Sequence, residues 1–336
     1  MPRLKPPVKA AVVGYGPAFG MGKYHAESMK ATGVIEVVAV CDPDPKRLKA
    51  ARNEMGDVRT YDDVRKLAKD KDVQLAAVVV PHNVHCAVAL PLLKAGKHVV
   101  VEKPFALTIK ECDRMIEAAE KAGVTLSVFH NRRQDGDFLA VKDIISQGYI
   151  GDVFHFEATS GGYSRPGEWW RSNKKISGGL FYDWGAHFVD WVLQLMPGKI
   201  KTVSGQFQKR VWKHTTNEDH VEAYVKFDSG AIAHIQLSDI AAASKPKWYI
   251  LGTEGAIVDT GREGKFTVYT RARDRVASFE VEHYKTVWNY YDMLADHLIK
   301  GAPNPVTPQS ARRVIAMIEL AERSSKTGKE QTVPYE

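Results

Sequence analysis

Cysteine is scarce. The 336 residues contain three, Cys41, Cys86 and Cys112, widely spaced and with no C-x-x-C pair, which excludes a disulfide framework and a cysteine-based zinc site and points to a reducing compartment. Long apolar runs are missing too: none approaches the roughly 18 residues a membrane span requires. The apolar start at Val8 breaks at Gly14 without a cleavage-like site, so neither a span nor a secretory signal is expected, and the expected location is cytoplasmic. Lys and Arg exceed Asp and Glu by 47 to 40, a formal +7, but the basic spots RLKPPVK, KIK, QKRVWKH and KPKW are short and scattered. No nucleic-acid face is expected from so dispersed a charge. His82 and His85 have the spacing H-x-x-H, yet no third ligand stands at a recognisable distance, so no metal is expected.

What is present describes a well-packed protein of two domains. Hydrophobic residues make up 44% and charged residues 26%, and single cores stop growing at roughly 250–300 residues. From Val8 to about residue 130, short apolar runs (VKAAVVGYG, IEVVAVCD, VQLAAVVVP, KHVVVEKP, VTLSVFHN) alternate with segments of helical spacing. Such alternation predicts right-handed crossovers and a doubly wound parallel sheet, a Rossmann domain over 1–130. From 131 to 336 the pattern changes to consecutive alternating strands without intervening helices, which predicts an α+β domain on a large open, mainly antiparallel sheet. The final helix has the option of packing back on the first domain.

The stretch AVVGYGPAFGMGKYHA, residues 11–26, is a dinucleotide fingerprint stretched out of register. A strict G-x-G-x-x-G needs glycine where Phe19 stands, leaving Gly20 or Gly22 as the third glycine. Gly14 and Gly16 end the first strand, a helix follows, and Asp42 closes the second strand where an acidic residue would take the ribose hydroxyls of the cofactor. A carboxylate there favours NAD over NADP, although Lys46 and Arg47 lie close enough in sequence to soften the preference.

Three further segments carry a resemblance. Glu102, Lys103 and Pro104 end a strand; Pro81, Asn83 and His85 occupy the loop before it; and SGGLFYDWGAHFVDW, residues 177–191, has the spacing Gly-Gly-x-x-x-Asp-x-Gly-x-His. Together these resemble the Gfo/Idh/MocA oxidoreductases, the group of glucose–fructose oxidoreductase and the inositol dehydrogenases, and the likeness extends over nearly the whole chain. The resemblance selects Gly22 as third glycine, because His25 follows it by three. It also implies cofactor contacts from Pro81, Asn83, His85 and Glu102, a cis bond at Lys103–Pro104, and a sheet whose outer face forms homodimers or homotetramers.

The residues themselves can carry hydride-transfer chemistry on a secondary alcohol, which needs a proton acceptor and a positive group at the developing alkoxide. Asp183 and His187 are four apart on a segment of helical spacing, hence on one face, and Lys103 ends a strand of a doubly wound sheet, where ligands bind. By resemblance His187 is the acid/base, Asp183 orients it or binds an adjacent hydroxyl, and Lys103 polarises the oxygen. Glu102 either pairs with a nearby cation or faces water. Tyr163, Trp169 and Arg171 in the loop GGYSRPGEWWR, with Arg133, are candidate substrate contacts or else packed surface residues. Trp184 and Trp191 are expected in the core. The expected function is an NAD(P)-dependent oxidoreductase of a sugar, polyol or related cyclic hydroxyl compound; the alternatives are an NAD-dependent redox glycosidase and a noncatalytic nucleotide-sensing protein.

Overall fold

Strand and helix alternate through the first 130 residues because each crossover returns a short, doubly buried apolar strand to the same sheet. The structure, a computed structural model, describes residues 3–261 and 264–333. It divides into two units, one holding the residues up to His130 together with Asn289–Arg313, the other holding Asn131–Trp288 and the residues from Val314 onward. The division differs from the single cut expected at 130, since Asn289–Arg313 group with the first unit.

The first unit contains β1 (Val8–Val13), α1 (Met21–Ala31), β2 (Ile35–Cys41), α2 (Pro45–Met55), β3 (Arg59–Tyr61), α3 (Val64–Ala68), β4 (Leu75–Val78), α4 (His85–Lys94), β5 (His98–Glu102), α5 (Ile109–Ala122) and β6 (Leu126–Phe129). All pairs are parallel, in the order β3-β2-β1-β4-β5-β6. This is the doubly wound sheet the alternation predicts, and its order reverses between β1 and β4, the place where such sheets bind ligands. Helix boundaries follow from chemistry: Asp44 caps α2 ahead of Pro45, Thr108 caps α5, and Gly123 ends α5 in the left-handed region at φ 65°.

The second unit opens with α6 (Gly136–Ser146) and β7 (Val153–Gly161), followed by the short helices α7 (Lys174–Ser177) and α8 (Leu180–Asp183) and by α9 (Gly185–Leu195). Then come β8 (Ile200–Gln208), β9 (His220–Phe227), β10 (Ile232–Ser238), β11 (Trp248–Gly252), β12 (Gly255–Asp259), β13 (Lys265–Ala272) and β14 (Arg275–Glu282). Helix α10 (Tyr290–Lys300) falls in the first unit, α11 (Pro308–Thr327) starts there and ends in the second, and β15 (Gln331–Thr332) closes the chain. The nine strands run in the order β14-β13-β12-β11-β7-β10-β9-β8-β15. As expected the sheet is mainly antiparallel; the one parallel pair, β7 with β10, is invisible to strand periodicity because it joins strands some 70 residues apart in sequence.

Helix α9 is buried at every position from Gly185 to Leu193, the signature of a helix enclosed on all sides. Trp191, 1% exposed, lies with its ring 5.2 Å from that of Trp248 on β11 and 5.1 Å from Phe188. Among the described residues no helix is long and apolar enough to cross a membrane. Because a buried indole leaves a cavity its neighbours refill only in part, Trp191→Ala should lower stability by about 3–5 kcal/mol, read as a shift of the urea midpoint; a loss under 1 kcal/mol would show that α9 does not organise this core.

Candidate active site

Missing side chains shape the carboxyl edge of the first sheet. Gly14 leaves β1 at φ 99°, and a Cβ there would lie 2.0 Å from the Val79 carbonyl oxygen, at the switch between β1 and β4. Gly22, inside α1, sits so close to the turn that a Cβ would meet the Gly14 carbonyl oxygen at 2.5 Å. Gly16 is exposed and a Cβ on it would meet nothing within 4 Å. These are the three fingerprint roles: tight turn, open backbone approach and close helix packing. Residues 17–20 bulge as a short 3₁₀ turn, with Phe19 at φ 56° and 68% exposed. Helix α1 has no side-chain cap and no acidic residue in its first turn, so its positive end suits an anionic pyrophosphate. The backbone therefore fits a dinucleotide.

Asp42 ends β2 and accepts from the Tyr15 N–H at 2.7 Å and the Asp44 N–H at 2.9 Å. Both bonds hold it beside the glycine turn, and each oxygen keeps a lone pair for a ribose hydroxyl. Pro81 and Asn83 are exposed at the β4 edge. His85 is fully buried, with Nδ1 2.8 Å from the Pro104 oxygen and Nε2 2.9 Å from the Val80 oxygen, and burial pushes its imidazole toward the neutral form. Expected as a cofactor contact, it instead clamps the β4 loop to the loop carrying Lys103, since both ring nitrogens are turned into the protein. The Lys103–Pro104 peptide is cis, as the resemblance implies.

Glu102 pairs with a cation-capable partner rather than facing water. Its Oε1 accepts from His25 Nε2 at 2.8 Å, its Oε2 accepts the Lys103 N–H at 2.9 Å, and the Tyr291 hydroxyl shares a hydrogen bond of 2.6 Å with His25 Nδ1. With both its oxygens engaged, Glu102 ties the strand end that carries Lys103 to α1. Burial raises its carboxyl, but His25 and Lys103 outweigh that and hold it below the usual range; burial drives the Tyr291 phenol well above its ordinary value.

In the second unit the Gly-Gly of the third motif is a steric demand. Gly178 has φ 86° and Gly179 φ 113°, and a Cβ on Gly179 would strike a Glu218 carboxylate oxygen at 2.4 Å. Glu218, buried, is paired with Lys174 and accepts the Leu180 N–H. Asp183 and His187 fall on two abutting helices rather than one, α8 and α9 meeting at Trp184, which keeps a right-handed helical conformation. A Cβ on Gly185 would lie 2.3 Å from the Phe181 ring, so glycine lets the two helices join tightly.

Asp183 is bound by Arg171, whose Nη1 lies 3.0 and 3.3 Å from its two oxygens. The guanidinium in turn lies 5.6 Å from the Trp169 ring and 5.2 Å from that of Trp170. His187 is 4% exposed, its ring 6.0 Å from Trp184 and 6.2 Å from Trp191. Tyr163 is 59% exposed and edges onto Trp212. Arg133, expected among the substrate contacts, forms a bidentate pair with buried Asp190 at 2.8 and 2.6 Å, which fixes α9. Trp184, expected in the core, is 47% exposed. Among the described residues no cluster suits a metal ion.

Residues 8–130 match the oxidoreductase family with an NAD-binding Rossmann fold, and residues 138–258 match the GFO/IDH/MocA C-terminal domain. The chain belongs to the Gfo/Idh/MocA oxidoreductases. The scyllo-inositol 2-dehydrogenase (NADP(+)) of Bacillus subtilis strain 168 is 26% identical over 95% of this chain and 94% of its own; the NAD(+) enzyme of the same name and organism is 26% identical over 90% and 88%. The 1,5-anhydro-D-fructose reductase of Ensifer adhaerens is 30% identical over 69% and 70%. In structure the protein is similar to an NAD-binding protein from Listeria innocua, with a TM-score of 0.86, 27% identity and 98% of each chain covered.

Sequence spacing did not bring out His25, Tyr291 and Asp190 as parts of the site. His25 alone carried a signal, its place three residues after Gly22. The depressed Glu102 carboxyl contributes stability above its ordinary value, near 4.5, that is lost as pH falls through its lower folded value. Glu102→Gln should therefore destabilise by about 1–3 kcal/mol at pH 7, with the gap to wild type closing under strong acid in urea titrations; an equal gap at both pH values would rule out a stabilising ionised Glu102.

Proposed function

We propose that the protein is an NAD(P)-dependent dehydrogenase acting between a secondary hydroxyl and the ketone of a sugar, polyol or related cyclic compound. The observation that carries this is the convergence, on one carboxyl edge of a parallel sheet, of the open Gly16 backbone, Asp42, Pro81, Asn83 and Lys103. Gly14, Gly16 and Gly22 would admit the pyrophosphate, and Asp42 the adenosine ribose. The nicotinamide, when bound, supplies the two-electron acceptor. Lys103 polarises the substrate oxygen, and His187 takes the hydroxyl proton, the role for which imidazole is the commonest side chain. Asp183, pinned by Arg171, binds a neighbouring hydroxyl.

NAD is the favoured cofactor. Asp42 and the α2 cap Asp44 bring two carboxylates to the end of β2, where a 2′-phosphate would be repelled, and Arg47 is drawn to Asp44 at 3.7 Å. The buried, unpaired cysteines support the cytoplasmic location. A homodimer or homotetramer is supported by Tyr224, Ile232, Tyr249 and Tyr269, all exposed and set by strand register on one face of the nine-stranded sheet. Light scattering should accordingly give a mass at least twice that of the chain, and a monomer at micromolar concentration would remove this part of the proposal.

Purified protein offered NAD or NADP with inositols, sugars and anhydrosugars should produce reduced cofactor with at least one of them, and faster with NAD. Lys103→Ala and His187→Ala should each lower kcat by roughly 10²–10⁴-fold with cofactor affinity little changed. Retained turnover in either variant would remove that residue from the chemistry; no reduced cofactor with any substrate would sink the dehydrogenase reading.

A further inference from the structure

Within the second unit a cavity of about 420 Å³ opens beside α8 and α9, its wall including Arg132, Trp184, Asp239, Lys245 and Lys247. Each cation on that wall lies near a carboxylate: Arg132 has Asp135 at 2.8 Å, Lys247 has Asp137, and Lys245 lies 3.9 Å from Glu157, which His155 also holds at 3.1 Å. Asp239 is the charge left over. Its backbone is fixed on both sides, the N–H donating to the Asp219 oxygen at 2.8 Å and the carbonyl accepting from Trp212 Nε1 and the Ser164 N–H at 3.2 Å. Among the described residues none donates a hydrogen bond to its carboxylate.

With each cation of the wall drawn to a carboxylate behind it, and Asp239 placed to repel an anion, the cavity and its exposed indole suit an uncharged polyhydroxylated ring better than an acid. Ionised carboxylates take adjacent hydroxyls in pairs, and aromatic faces cover the apolar side of a sugar. We propose that Asp239 is a specificity-determining residue that reads neighbouring hydroxyls of a neutral sugar or polyol in this cavity, with Trp184 as its apolar platform. The proposal rests on the carbohydrate dehydrogenase reading for its ligand class.

The charged groups around Asp239 are Asp219, Lys209 and Asp183, besides the three cations of the wall. Burial first, then the charges of Asp219 and Asp183, push its carboxyl up to about 6, against the pull of Lys209. The accepting, ionised form is therefore lost as pH falls through about 6. The same shift makes ionised Asp239 a cost to folding above that pH, because the folded state holds the proton more tightly than the unfolded one.

The test is calorimetric binding of myo-inositol, levoglucosan and D-glucuronate to the full chain saturated with NADH, for wild type and Asp239→Asn, with turnover and Tm read in parallel. Expected are tighter binding of a neutral probe than of D-glucuronate and a tenfold or greater loss in Asp239→Asn at pH 7.5. Wild-type affinity should fall toward pH 5 where the variant's stays flat. The variant's Tm should be equal or higher at pH 7.5; a merely structural aspartate would lower it. Unchanged affinity in the variant, preference for D-glucuronate, a lowered Tm or no binding of any probe overturns the proposal. Asp239-dependent binding without turnover keeps the site and removes the dehydrogenase reading; turnover indifferent to Asp239 does the reverse.

Discussion

The hydrogen bond between His25 and Glu102 ties together the pieces of the first unit that matter for function. His25 belongs to the helix that follows the glycine turn, and Glu102 directly precedes Lys103. Tyr291, on a helix almost 190 residues further along the chain, completes the line at His25 Nδ1. Tyr290 adds a bond of 2.7 Å to Ser127 and an edge contact with Phe129 at 4.7 Å. These contacts give a physical reason for Asn289–Arg313 to join the first unit: the buried carboxylate and imidazole need a polar partner that the Rossmann crossovers do not provide, and α10 provides it. Buried polar groups are retained where they are fully satisfied, and Glu102 has both oxygens engaged.

Around that line, backbone approach does the shaping. Gly14 and Gly22 exclude a Cβ because carbonyl oxygens occupy its place, and Gly179 because a buried carboxylate does. The two motifs are unrelated in sequence yet solve one problem, bringing a helix start close to a polar group that a side chain would displace. Gly16 differs from these three, since nothing in the protein fills the space its missing side chain leaves open.

The first unit was legible because its signals are local. A parallel strand buried on both faces reads as an apolar run, and each run here ends in a turn residue or at a helix cap. Spacing singled out Gly14, Gly16, Asp42 and Lys103 as candidates for the same reason: each sits at the end of such a run. What the sequence hid is long-range pairing. Arg133 looked like a substrate contact, and only the fold shows it gripping Asp190, 57 residues on. The resemblance implied a cofactor contact from His85, and only the loop geometry shows both its nitrogens turned inward. At Trp184 the segment divides into α8 and α9 while the backbone stays right-handed helical, and Gly185 lets the two helices abut.

The carboxylates of the second unit sort themselves by what surrounds them. Burial alone would raise Asp219, but Lys209 at 2.8 Å and the N–H groups of Arg210 and Val211 at 2.7 and 2.6 Å hold it below the usual range. Asp239, hydrogen-bonded to Asp219 through its own backbone, has no such donors among the described residues and is displaced the opposite way, partly by the charge of Asp219 itself. Asp190 is matched by Arg133 and Asp183 by Arg171, so the basic residues nearby are committed to partners. Neighbouring carboxyls driven apart in this manner mark a division of labour: the paired ones fix the scaffold, and the one left exposed to its neighbours' field is the one whose ionisation a ligand can change. That division follows from where the N–H donors fall along the chain at 210–212, which neither the strand periodicity nor the motif spacing encodes.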